Sequence, residues 1–183
     1  TEYKKLSHAL SGKGACALFG LPASGRAQVY AALCRQLDKP LCIVTPGEAE
    51  ATRFAADLNT LGIPAAVFPA RDYVLRPIEG TAREYEYRRL AVLGELVGGR
   101  LRAVAVPAEA LTQFTTPKED FCANTRTLHA GDTLLRDDLL AALFGAGYTR
   151  RAQVDGPGQF SVRGDIVDIF APDQKMPVRM EFW

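Results

Sequence analysis

With 183 residues, 48% of them hydrophobic and 23% charged, the chain has a globular composition and is long enough for one ordinary domain or two small ones. Its net charge of +1 argues against a domain built mainly to grip nucleic acid, because phosphate contacts need a surplus of lysine and arginine on one face. No run approaches the roughly 18 apolar residues of a membrane span, and the N-terminal TEYKKLSHALSGKG lacks the apolar core of a signal peptide.

In chain order, Glu2 to Leu10 predicts a short amphipathic helix, with Tyr3, Leu6 and Leu10 at near-helical spacing. Gly14 to Phe19 (GACALF) is a compact apolar run suited to a strand buried on both faces. It leads into GLPASGRA, Gly20 to Ala27, and then a helix from Ala27 to Leu37. Strand, glycine loop and helix form the context of a phosphate-binding loop. In GxxxxGK[ST] the glycines let backbone N–H groups wrap the phosphates, the lysine reaches the outer phosphates and the hydroxyl binds magnesium. Gly20 and Gly25 are correctly spaced, but Arg26 stands at the lysine, Ala27 at the hydroxyl, and Pro22 withdraws a backbone donor. The set Gly20, Ser24, Gly25, Arg26 and Ala27 therefore reads as a vestigial nucleotide loop retained as a structural turn.

Pro40 to Val44 predicts a second buried strand. Pro46 to Leu61 follows as a helix with Ala51, Phe54, Ala55 and Leu58 on one stripe, Gly62 as its stop, and Ala65 to Phe68 as a third strand. Alternating strand and helix implies a parallel sheet sandwiched by helices. Pro69 to Gly80 is a connector without clear periodicity, and Thr81 to Val97 a helix whose Arg83, Glu84, Glu86, Arg88 and Arg89 make a charged face. Pairs such as Glu84 with Arg88 stabilise a helix surface by only about 0.2–0.5 kcal/mol. Tyr73, Tyr85 and Tyr87 admit two readings, stacking platforms for single-stranded nucleic acid or amphipathic packing residues.

Arg102 to Val106 adds a strand and Pro107 opens a short helix. Thr115 to Ala123 breaks both periodicities and sets a domain boundary, giving an α/β domain over 1–120 and a small α+β domain over 121–183. In the second, Asn124 to His129 alternates as a strand, and Thr133 to Phe144 is a helix with Leu135, Leu139, Leu140 and Leu143 as its apolar stripe. Tyr148 to Val154, Gln159 to Arg163, Asp165 to Phe170 and Pro177 to Trp183 are strands of a mostly antiparallel sheet. In the last run Val178, Met180 and Phe182 share one face, and Arg179, Glu181 and Trp183 the other. Trp183 follows the strand pattern directly, so the chain reads as a fragment of a longer protein.

Cys16, Cys34, Cys42 and Cys122 stand singly without CxxC spacing and read as buried reduced thiols of a cytosolic protein. His8 and His129 are far apart with no matching ligand cluster, so no metal site is expected.

The stretch FSVRGDIVDIFAP, followed after a short turn by PVRMEFW, resembles the strand pair of the second domain shared by the nucleotide-excision-repair protein UvrB and the transcription-repair coupling factors (Mfd). Order, turn length and glycine match, and Trp183 stands where a phenylalanine is usual. The resemblance implies a domain 1a-like α/β fold followed by a domain 2-like docking domain for UvrA, with Arg163, Arg179, Glu181 and Trp183 as the contact residues. UvrB carries an intact phosphate loop and, near Pro69 to Gly80, a long aromatic hairpin that clamps DNA. The altered loop and short connector place this chain on the coupling-factor side.

The resemblance thus implies a non-catalytic, cytoplasmic fragment with no cofactor of its own, recruiting UvrA to RNA polymerase stalled at DNA lesions. The full-length protein would be an ATP- and magnesium-dependent DNA translocase that contacts RNA polymerase and DNA elsewhere. The alternative is a helicase-like nucleotide-binding fragment using Gly20 to Ala27, against which stands the absence of an acidic strand to position magnesium and water. A third reading is direct DNA binding through Arg71, Arg76, Arg83, Arg88 and Arg89.

Overall fold

The computed structural model describes residues 2–11, 15–37, 39–71 and 82–183. The chain divides into two compact units, Thr1–Arg71 with Gly98–Gln113, and Asp72–Val97 with Phe114–Trp183. Gly14, Tyr73 and Arg76, with most of the connector expected over Pro69 to Gly80, lie outside the described residues.

The first unit contains α1 (Glu2–Ser11), α2 (Ala23–Gln36), β1 (Leu41–Thr45), α3 (Glu48–Thr60) and β2 (Ala65–Val67). After α4 (Ala82–Val97), which belongs to the other unit, β3 (Ala103–Pro107) and α5 (Ala108–Leu111) complete it. Its sheet is wholly parallel in the order β1-β3-β2, with Leu41 and Ala65 both opposite Ala103. Ala27, Ala31 and Cys34 of α2 and Ala51, Phe54, Ala55 and Leu58 of α3 close over Ile43, Ala103 and Ala105. The central β3 is buried along its whole length, as a parallel strand between two neighbours requires. The edge strand β1 alternates instead, with Ile43 inside and Val44 half exposed.

Side chains hold the joints of this unit. Arg102 donates to the carbonyls of Cys34 and Leu37, satisfying the acceptors that the end of α2 leaves open. Asn59 bridges the end of α3 to the backbone of Ala65, and Gly62, at φ +74°, reverses the chain between them. Gln113, buried, exchanges two hydrogen bonds with the backbone of Arg71.

Three expectations fail here. Ala15 to Phe19 form no strand and are exposed, Phe19 at 87%, so the sheet has three strands rather than four among the described residues. Ala15, Cys16 and Ala17 offer little side-chain area and lack the β-branched shape that packs on a pleated surface. Helix α2 begins at Ala23 rather than Ala27, because Pro22 takes the N-cap position and its carbonyl accepts the first helical bond from Arg26 at 3.0 Å. Of the cysteines only Cys34 is buried; Cys16, Cys42 and Cys122 are exposed, and all four are free thiols.

The second unit adds α6 (Lys118–Ala123), α7 (Arg136–Gly145), β4 (Thr149–Arg150), β5 (Gln159–Arg163), β6 (Ile166–Phe170) and β7 (Val178–Glu181) to α4. Its sheet runs β4-β5-β6-β7, parallel between β4 and β5 and antiparallel thereafter. Leu139 and Leu143 of α7 pack on Phe160, Val167 and Ile169, with Met180 and Phe182 against them. Phe144 meets Phe160 edge-on at 5.1 Å. Leu135, expected on the stripe, is exposed at the N-cap of α7, and Leu134 packs in its place.

The strand expected over Asn124 to His129 does not form: Leu128 is its one large apolar residue, so alternation gives no face to bury. The preceding stretch, read as irregular, is α6, with Pro117 at its N-cap and Glu119 and Asp120 in its first turn, where the helix dipole favours them. Gly164, at φ +60°, begins a two-residue hairpin turn between Arg163 and Ile166, the position a type II′ turn reserves for glycine.

Candidate protein-docking face

The hairpin turn at Gly164 and Asp165 fixes the register of β5 on β6, and the antiparallel ladder carries it to β7. Ser161, Asp168 and Arg179 thereby stand side by side across three strands, on the face opposite Phe160, Val167 and Met180. The next row along holds Arg163, Ile166 and Glu181.

Arg179 and Asp168 form a two-pronged pair. Nε of Arg179 donates to Oδ1 of Asp168 at 2.7 Å and Nη2 to Oδ2 at 3.0 Å. Ser161, itself buried, donates to Oδ2 from 3.4 Å. The hydrogen bond from Arg179 and its charge, with smaller help from Ser161 and Arg163, hold the Asp168 carboxyl below the usual carboxylate range against the opposing effect of burial. The same bond, Asp168's charge and the more distant Glu181 raise Arg179 further.

Arg163 is held separately, its Nη2 donating to the Ala152 carbonyl at 3.0 Å. Arg136, at the start of α7, reaches the Gly164 carbonyl at 3.1 Å and Asp165 at 3.3 Å, tying the hairpin tip to the helix. At the far end, the Phe182 N–H donates to the Asp165 carbonyl and its ring joins the core, while Trp183 next to it is fully exposed.

The structure therefore brings Arg163, Arg179 and Glu181 onto one sheet face. Asp168 is the residue that holds Arg179. Asp168 was missing from the sequence-derived set, though a two-residue turn at Gly164 and Asp165 places it opposite Ser161 by counting.

The glycine-loop residues sit elsewhere. Gly20 has φ +80°, while Ser24, Gly25 and Arg26 lie in the first turn of α2 and Ala27 is buried in the core of the first unit. Arg26 Nη1 lies 3.6 Å from Glu50, and its guanidinium stands 5.7 Å above the Phe54 ring. The shallow groove there is lined by Arg26 and Arg53 but equally by Glu50 and Asp57, a balance of charge unsuited to a phosphate chain.

Among the described residues no cluster of histidine, cysteine, aspartate or glutamate could hold a metal ion, and no helix is long and apolar enough to cross a membrane. Of the arginines proposed for direct DNA contact, Arg89 is buried and donates to Thr115 at 2.8 Å, and Arg88 lies over Tyr85. Arg76 and the side chain of Arg83 lie outside what is described.

Residues 127–183, which contain the whole face, match the family described as UvrB interaction domain. Over about nine tenths of its length the chain is similar to the transcription-repair-coupling factors, as the strand pair implied. It is 38% identical over 170 residues to that of Mycobacterium bovis, covering 88% of this chain, and 29% identical over 168 residues to that of Bacillus subtilis, covering 91%. It is also 26% identical over 181 residues to the UvrABC system protein B of Chlorobium limicola, which it spans to 26%. The chain spans 14% of the length of each of the two coupling factors.

Proposed function

We propose that the chain is a non-catalytic docking module that recruits UvrA through the β5–β7 face, with Arg163 and Arg179 bonding carboxylates of UvrA, Glu181 meeting a basic group and Trp183 filling an apolar pocket. The observation that carries this reading is a fixed, half-exposed arginine, Arg179, on the same sheet face as Arg163 and Glu181, within the segment that matches the interaction-domain family.

As part of a longer coupling factor, the module would bring excision repair to RNA polymerase stalled at a lesion in the cytoplasm. ATP and magnesium would act in the motor domains of that longer protein, not at Gly20 to Ala27.

Calorimetric titration of the chain with purified UvrA, with and without ATP and magnesium, tests this. Binding is expected without nucleotide and is lost in the Arg179→Ala/Trp183→Ala double variant, whose melting temperature stays close to that of the unaltered chain. Full affinity in the double variant would remove this face from consideration.

A further inference from the structure

Arg179 has five N–H groups, and Asp168 takes two of them along one side of the guanidinium, those on Nε and Nη2. The end-on edge, formed by Nη1 and the second hydrogen of Nη2, has no hydrogen-bond partner among the described residues, and the side chain is 58% exposed. Asp168 is far less free, at 18% exposure on the inner strand β6 with Ser161 on its other flank.

The backbone explains why the pair is so close. The Phe182 N–H bonds the Asp165 carbonyl, so hydrogen-bonded pairs fall at 165/182, 167/180 and 169/178. Asp168 and Arg179 therefore form a non-hydrogen-bonded pair, in which opposing side chains stand nearest.

We propose that Asp168 is a positioning residue of the docking face, clamping Arg179 side-on so that its end-on edge is presented to a carboxylate of the partner. The inference rests on the docking reading above and extends it to a residue that touches no partner. A guanidinium can serve two carboxylates at once because its fork is planar and its N–H groups diverge, which a lysine ammonium cannot reproduce with the same geometry. Without the clamp, the long side chain of an edge-strand arginine would sample many rotamers, and partner binding would have to order it.

The test is a double-mutant cycle read by titration with UvrA, using the unaltered chain, Asp168→Asn, Arg179→Ala and the two together, with thermal melting run alongside. Asp168→Asn keeps the size and removes the charge; it is expected to weaken binding about tenfold, the range of coupling between contacting residues. In the Arg179→Ala background the same change should have no further effect, and Asp168→Glu, which keeps the charge, should recover part of the affinity. Asp168→Asn binding as tightly as the unaltered chain would overturn the inference while leaving the docking reading intact. A tenfold loss persisting in the Arg179→Ala background would also overturn it, showing a general structural role instead. Failure of the unaltered chain to bind UvrA would sink the docking reading itself, and this inference with it.

Discussion

Arg26 lies 3.6 Å from Glu50, on the neighbouring helix, at the position where a working phosphate loop would aim a lysine at its ligand. The pair is partly exposed and the guanidinium also covers Phe54, so its contribution to stability is that of a surface pair with a cation–π contact. Arg26→Ala should therefore lower unfolding stability by no more than about 1 kcal/mol in urea titration. Millimolar ATP with magnesium should leave the melting temperature of both forms unchanged; a rise seen only with Arg26 in place would restore the loop to function.

Ala27 gives a sharper test of the same loop. It is 2% exposed within the packing of α2 on α3, at the position where a phosphate loop carries its magnesium-binding hydroxyl. Ala27→Thr would add two heavy atoms, one of them a hydroxyl oxygen, to a filled site. The expected result is a loss of about 1–3 kcal/mol and no gain of magnesium-dependent nucleotide binding. Urea midpoints and nucleotide titration measure the two halves separately.

What the sequence made legible follows from how local each signal is. Phe160 and Val162 against Val167 and Ile169 alternate cleanly because one sheet face is buried, and the turn glycine between them leaves a single register. Ala51, Phe54, Ala55 and Leu58 gave away α3 through helical spacing. The failures share a cause: Ala15 to Phe19 and Asn124 to His129 have strand-like patterns but no large apolar set facing a core, and only the folded neighbours decide such cases. Helix α6 is too short to show a periodicity within Thr115 to Ala123, and Pro117 stands at its N-cap, where a proline is compatible with a helix start. Asp168 was hidden because its partner Arg179 comes 11 residues later and is brought near only by the completed ladder.

Gly158 is fixed by two independent constraints. Its φ is +74°, and a Cβ there would overlap the Oη and Cζ atoms of Tyr87 from α4 and lie 2.7 Å from Cε1. Gly62 has the same φ with nothing within 4 Å, so Gly62→Ala should cost only the backbone strain, about 1–2 kcal/mol. Gly158→Ala should cost that plus about 1–3 kcal/mol of overpacking. Adding Tyr87→Ala to Gly158→Ala should relieve the overpacking but not the strain, while Tyr87→Phe should relieve little because the ring itself is in the way. Denaturant unfolding of the four variants would show the pattern, and equal losses at Gly62 and Gly158 would refute the close approach of Tyr87.

Tyr148 offers a readout of the second unit's core that does not depend on any partner. It packs against the cluster around Phe160, and burial first, then the charges of Asp173 and Tyr87, push its phenol from about 10 up to about 12. The folded state thus holds the phenolic proton more tightly than the unfolded chain. The stabilisation this represents is fully present below pH 10 and is lost as the pH rises from about 10 to about 12. Subtracting the phenolate absorbance of a Tyr148→Phe variant from that of the unaltered chain should leave one group ionising near pH 12 in the folded protein and near pH 10 in denaturant. Correspondingly, the Tyr148→Phe variant should lose less stability than the unaltered chain between those two values, and an ordinary titration near pH 10 in the folded state would mean that the ring is not packed where the fold puts it.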